Sequence, residues 1–225
     1  MKSGDILMFN TTICSIPHCK KLALSVQNRG KYGVFCAEHM PNIQWARDDI
    51  CEYITASNKI ITLNASGLDF IGLDFSGKRF YGCIFRHCIF TNIIAEKMQA
   101  RLSLFEFSRF IDCRIVKSHI LAASFAGSIL YNTDFTGSEL IHTNLCGVSA
   151  ENTLFDNTDL YNSRFIRAQL SDVSFRGANI QNTVFYGIVQ KNITFKGSNA
   201  GHAFFSEGVT ITKSEVSFPT GKILI

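Results

Sequence analysis

Proline is scarce in this chain of 225 residues, with only 3, and tryptophan occurs once. With 16 glycines and 46% hydrophobic residues, that scarcity excludes collagen-like and disordered classes. Long apolar runs are missing too. None approaches the ~18 residues of a membrane span, and Met1–Asn10 lacks the apolar stretch of a secretory signal. A cytoplasmic protein without membrane association is expected. Charge of one sign is also lacking: 22 Lys+Arg against 18 Asp+Glu leave +4, too mild a balance to point to nucleic acid. There is no GxSxG, no P-loop, no GxGxxG followed by an acidic residue and no HExxH. A non-enzyme with no catalytic residues is expected.

Phenylalanine, by contrast, is abundant at 20 residues, and it is in phase. From 70 to 205, the 28 positions divisible by five hold fifteen Phe, five Leu and three Ile. Leu, Ile and Phe make up 61 of 225 residues, so simple proportion gives about 8 of 28. An internal repeat of five residues follows. Neither standard element has that period. In an α-helix, successive centres would be about 140° apart and form no stripe; in a straight strand, residues five apart face opposite sides. If every fifth residue faces one core, the chain must bend once per repeat. The residue two before each centre is usually small, as in Ser103, Ser108, Ser128, Thr133, Thr158 and Ser163. Two after it comes a turn former, as in Gly72, Gly82, Gly137, Asn152, Asn162 and Gly177.

Stretches such as Thr133–Gly137 (TDFTG), Thr158–Asn162 (TDLYN) and Ala178–Asn182 (ANIQN) resemble the A(D/N)LXX repeat of pentapeptide-repeat proteins, over about residues 66–206. The resemblance implies an all-β solenoid, a right-handed quadrilateral β-helix with four repeats per coil, hence seven coils. Side chains twenty apart would stack, one column being Phe85, Phe105, Phe125, Leu145, Phe165, Phe185 and Phe205. Centres 95 and 100 are Ala, so residues 93–104 form either a loop or a thinned coil. Gln190 at a centre suggests a distorted corner.

Residues 1–40 carry a different signal. Cys14-x4-Cys19 and Cys36-x2-His39 are two close pairs of thiolate and imidazole donors, which suit a tetrahedral structural Zn²⁺. The stretch resembles zinc-knuckle modules ending in an F/Y-C-x2-H step, here Phe35 to His39, and His18 is an adjacent competitor. Cys83, Cys88 and Cys113 fall on inward small positions, and Cys51 and Cys146 lack paired ligands. Residues 41–58 read as a capping helix, with Ala46, Ile50, Tyr53 and Ile54 on one face. The β-helix then occupies 59–225, closed by short strands at Val209–Ile211 and Val216–Phe218.

Function is less legible. Residues 59–117 hold nine Lys+Arg and five acids, 118–163 no Lys or Arg and five acids, and 164–225 seven Lys+Arg and three acids. An acidic belt therefore separates basic ends. Ile89, Ile111, Ile129 and Tyr131 are apolar at outward positions, a cluster expected to bind a protein partner. An interaction protein with an unidentified protein partner is expected, with self-association open. The alternative is implied by the resemblance alone: quinolone-resistance members imitate duplex DNA and engage DNA gyrase.

Overall fold

The computed structural model describes residues 12–27 and 33–206. The repeats form a parallel β-solenoid of about seven turns, preceded by one α-helix. Parallel pairing runs at twenty residues, Phe70 with Phe90, Phe90 with Phe110, and on to Leu170 with Gln190. The solenoid has four faces, named here by a residue at their centre. The Phe70 face is a seven-stranded sheet and the Ile60 face a five-stranded one. The Phe75 and Phe85 faces are joined mainly by single bridges twenty residues apart, such as Asp74 to Ile94 and Ile84 to Leu104.

The chain turns these corners by one device. All 28 positions that lie two past a centre, from Thr62 to Gly197, adopt φ between 49° and 79°. Within the described solenoid, left-handed backbone falls at these corners, which accounts for their Gly and Asn. Centres then point inward. Phe85, Phe105 and Phe125 stack with ring centroids 5.3 and 4.9 Å apart, and Phe165, Phe185 and Phe205 at 5.0 and 5.1 Å. Leu145 fills the gap between the two stacks, wholly buried.

The small inward residues do more than save space. Ser108 Oγ donates to the Phe85 carbonyl at 2.6 Å and accepts the Cys88 N–H at 3.1 Å. Ser128 repeats this on Phe105 and Ser108. A hydroxyl thus satisfies backbone groups between coils, which would be costly if left unpaired in the core. Cys83, Cys88 and Cys113 take the same positions, directing their thiols at the carbonyls of Ile60, Ala65 and Phe90. Burial pushes the Cys83 and Cys88 thiols up to about 12, so they are inert there.

Residues 93–104 are a thinned coil and not a loop. Gln99–Arg101 pairs with Arg79–Tyr81 and His119–Leu121 without a register change. An apolar void of about 20 Å³ lies beside Ala95, Met98, Phe105 and Phe125. Nor is the corner at Gln190 distorted: Val189–Lys191 pairs in register with Gln169–Ser171. The Gln190 amide oxygen is buried without a partner.

Helix α1 spans Ile43–Ala56 and starts at Asn42, whose side chain accepts the Trp45 N–H at 3.2 Å. Its buried residues, Ala46, Ile50 and Ile54, join the same core as Ile60, Leu63 and Phe80. The helix therefore covers the open end of the first coil. Its C-terminus is held by an unexpected residue. Lys78 occupies an inward position normally small, and its Nζ donates to the carbonyls of Thr55 and Ser57 at 3.0 and 3.1 Å. No preceding coil lies there, so a long cation reaches the helix end, where orphan carbonyls favour positive charge. The closing strands read at 209–218 lie outside the described residues.

Candidate metal centre and outward faces

The N-terminal module is built from two short turns. An antiparallel bridge joins Ile13 to Leu22, and the Cys14 N–H donates to Lys21 O at 2.9 Å. That closes the first turn, which carries Cys14 and Cys19. The second is the 3₁₀ turn Ala37–His39, with Cys36 at its start. Ser15 N–H to Val34 O and Leu24 N–H to Phe35 O, both 2.8 Å, bring the turns together. The module docks on the first coil: Ser25 N–H donates to Asn64 O, and Asn64 Nδ2 to Ala23 O, both at 2.8 Å.

Cys14, Cys19, Cys36 and His39 then converge, their donor atoms all within 4.8 Å of one another. Cys14 Sγ lies 3.5 Å and Cys36 Sγ 3.4 Å from His39 Nδ1, and Cys19 Sγ lies 3.9 Å from Cys36 Sγ. A tetrahedral ion with Zn–S of about 2.3 Å and Zn–N of about 2.0 Å requires edges of about 3.8 Å for S···S and about 3.5 Å for S···N. These edges match, so the four side chains could hold a metal ion. His18 is exposed at a left-handed turn, φ 67°, and stays outside the cluster. Burial raises the Cys14 thiol, but hydrogen bonds from the Cys36 and Ile16 backbone and from His39 outweigh it and bring it to about 6. Cys36 shifts the other way because burial dominates. Such a pocket favours one thiolate even before metal binding.

The predicted partner residues lie on the Phe70 face. Ile111 is in register with Tyr131, while Ile89 and Ile129 flank Arg109 in the neighbouring row. Ile129 and Tyr131 are 43% and 44% exposed, and Ile71 beyond them 64%; Ile89 and Ile111 are half-buried. Ile71 is the member that sequence reasoning missed, and its place before the turn glycine Gly72 was the available signal. The acidic belt does not form one surface. Glu151 faces out from the Phe70 sheet, Glu139 and Asp159 pair on the Ile60 face, and Asp134 and Asp156 belong to the Phe75 face. Among the described residues, no helix is long and apolar enough to cross a membrane.

The family model of the pentapeptide repeat region matches residues 128–205. No curated protein matches the chain. Among solved structures, a trypsin-treated variant of QnrB1, a plasmid-mediated fluoroquinolone resistance protein, is 16% identical, with 67% of this chain and 82% of that one covered and a TM-score of 0.35. Rfr23, a pentapeptide repeat protein from the cyanobacterium Cyanothece 51142, is 12% identical, with 68% and 90% covered and a TM-score of 0.29. HetL, a pentapeptide repeat protein involved in heterocyst differentiation regulation from Nostoc sp. strain PCC 7120, is 16% identical, with 72% and 97% covered and a TM-score of 0.22. Likenesses this distant carry no function across.

Proposed function

We propose that this chain, a pentapeptide-repeat protein, is a non-enzymatic interaction protein whose rigid Phe70 face receives a protein partner. The observation that supports it is the row of Ile71, Thr91, Ile111 and Tyr131, exposed at Ile71 and Tyr131, with the exposed Ile129 beside it, on a seven-stranded sheet with no turn inside it. Binding such a face orders few side chains and no backbone, which keeps the entropic cost of association low. Ile129→Glu with Tyr131→Glu should abolish capture of the partner from the source cell and leave the melting transition nearly unchanged. Undiminished capture would remove the reading.

The Cys14, Cys19, Cys36 and His39 cluster is proposed to hold one structural zinc. Four protein donors leave no open position for catalysis, so the ion would cross-link the two turns. Protein purified without added metal should contain about one equivalent of zinc by elemental analysis.

A second reading, the gyrase-directed DNA mimic, finds less support. It needs acids aligned along one face, whereas these five occupy three faces and are followed by Arg164, Arg167 and Arg176. It requires protection of gyrase supercoiling from quinolone. No protection at micromolar protein would remove it.

A further inference from the structure

The Ile60 face carries a pattern that the partner reading does not use. Its first outward row runs, in register, Lys59, Arg79, Gln99, His119, Glu139 and Asp159, followed by the neutral Asn179. Cations occupy one end and carboxylates the other. The second row, two residues on, runs Ile61, Tyr81, Arg101, Leu121, Ile141 and Tyr161. Lys59, Arg79, Arg101 and Glu139 are exposed, and none of the three cations is in an ion pair among the described residues. His119 does pair with Glu139, at 2.8 Å.

We propose that this face binds a second copy of the chain, the two rods antiparallel. A two-fold axis parallel to the strands, midway between the strands of Gln99 and His119, reverses the order of strands and keeps each row opposite itself. Lys59 then meets Asp159 of the second copy, Arg79 meets Glu139, and Gln99 meets His119. In the other row Ile61 meets Tyr161, Tyr81 meets Ile141, and Arg101 meets Leu121. Every carboxylate of the face thus opposes a cation, and the apolar Ile61, Tyr81, Ile141 and Tyr161 oppose one another, while Leu121 meets Arg101. The match is isologous, each contact occurring twice, as closed dimers require. A rod in parallel orientation would set each strand against its own equivalent, placing cations near cations and acids near acids. Antiparallel docking is therefore the arrangement that the charge order selects.

The five strands and the bridge at Asp159 span about 24 Å at the sheet spacing, with a face only one short strand wide. Such a contact is at the small end of specific interfaces, so the dimer is weak and sensitive to salt. It is independent of the Phe70 face.

Sedimentation velocity of the full chain tests it, at about 0.3 mM protein, where weak association is visible. The wild type should dimerise at about 50 mM salt and dissociate at about 500 mM. Arg79→Glu alone and Glu139→Arg alone should each weaken dimerisation about tenfold or more, because each places like charges opposite one another twice. Mixed in equal amounts, the two variants should associate, since both contacts in the mixed pair are then of opposite charge. Ile129→Glu on the Phe70 face should change nothing. A wild type that stays monomeric at low salt overturns the proposal. So does a dimer indifferent to the single charge reversals, or a mixture of variants no more associated than its components. Far-ultraviolet melting of each variant separates misfolding from lost association, as both positions are exposed.

Discussion

The solenoid and the N-terminal module reach order by opposite routes. In the solenoid every inward residue meets its counterpart twenty positions away, and each coil is the template for the next. Phe135, Phe155, Phe175 and Phe195 stack at 5.0 to 5.2 Å because one geometry is repeated. Loss of one contact is felt by two neighbours, and the remainder still stands. The module has no such redundancy. Its order rests on four donor atoms drawn together from two turns, and on Leu24 and Val26 as its buried bridge to the shared core. Repetition distributes stability, whereas a cluster concentrates it.

That contrast is broken most severely at the cluster. If the cluster holds the proposed zinc, Cys36→Ser should release it and with it the order of residues 12–27 and 33–40, because the binding free energy of a structural zinc, of order 10 kcal/mol or more, is then folding free energy. Hydrogen exchange reads the difference. Amides of Cys14, Leu24 and Ser25 should lose protection while those of Phe125 and Leu145 keep it. Equal loss in both regions would mean that the module is a part of the solenoid fold and not an addition to it.

Phe125→Ala is the next largest. Phe125 is wholly buried between Phe105 and Leu145 and lines the void beside Ala95. Truncation enlarges a cavity that cannot collapse between two fixed coils, and should cost about 3–5 kcal/mol in denaturant unfolding. A cost below about 1 kcal/mol would show that the coils close up around missing volume, against the behaviour of close-packed cores.

Lys78→Met sharpens the boundary between the two regions. It keeps the aliphatic stem but strips the Thr55 and Ser57 carbonyls of their cation. A loss of about 1.5–3 kcal/mol is expected, as for hydrogen bonds to charged groups, with faster exchange at the end of α1 and no effect at Phe125. Lys78→Arg should recover part of it.

These cases also show what the sequence could and could not tell. Period, phase and the twenty-residue columns were legible because each is a one-dimensional pattern repeated many times. The convergence of Cys14, Cys19, Cys36 and His39 was legible from their paired spacing. Lys78 was not: at a position where the repeat takes small residues it looks like an error, and its acceptors belong to a helix whose placement no repeat specifies. The hydroxyls of Ser108 and Ser128 were legible as small but not as hydrogen-bonding, since their partners lie 23 residues earlier. The Ile60 face was hidden for a related reason. The basic and acidic blocks were legible along the chain, but that Lys59, Arg79, Glu139 and Asp159 share one face appears only when residues twenty apart are set side by side.

A smaller effect, and of the other sign, is expected at the corners. Lys97 is exposed and left-handed at φ 57°, in the stretch where His87, Lys97, Leu102, Phe107 and Lys117 stand where later coils use Gly or Asn. Non-glycine residues give up roughly 1–2 kcal/mol in that conformation, while glycine loses more freedom on folding, by roughly 0.5–1 kcal/mol. Lys97→Gly should therefore stabilise by a few tenths to about 1 kcal/mol. Gly137→Ala should do the reverse in the later coils, its φ being 68°.

The smallest effect belongs to Thr136, one past the centre Phe135 and outward on the Phe75 face. Its backbone N–H is held by Asp134 Oδ1 at 2.8 Å, and that bond survives any change of side chain. The neighbouring inward residues Thr133 and Ser138 are buried, with their hydroxyls on the carbonyls of Phe110 and Ile115. Thr136→Ala should thus change stability by no more than about 0.5 kcal/mol, as surface substitutions do. Ser138→Ala, two residues away, should cost about 1–3 kcal/mol by orphaning a buried carbonyl. Thr136→Ala removes the larger volume, a methyl as well as the hydroxyl, so a greater cost at Ser138 reflects direction and not size. If both variants melt alike, the hydroxyl ladder contributes nothing, and stacking of the centres alone holds the coils together. A clear gap would establish that the small inward residue is chosen for its hydrogen bond as well as for its size.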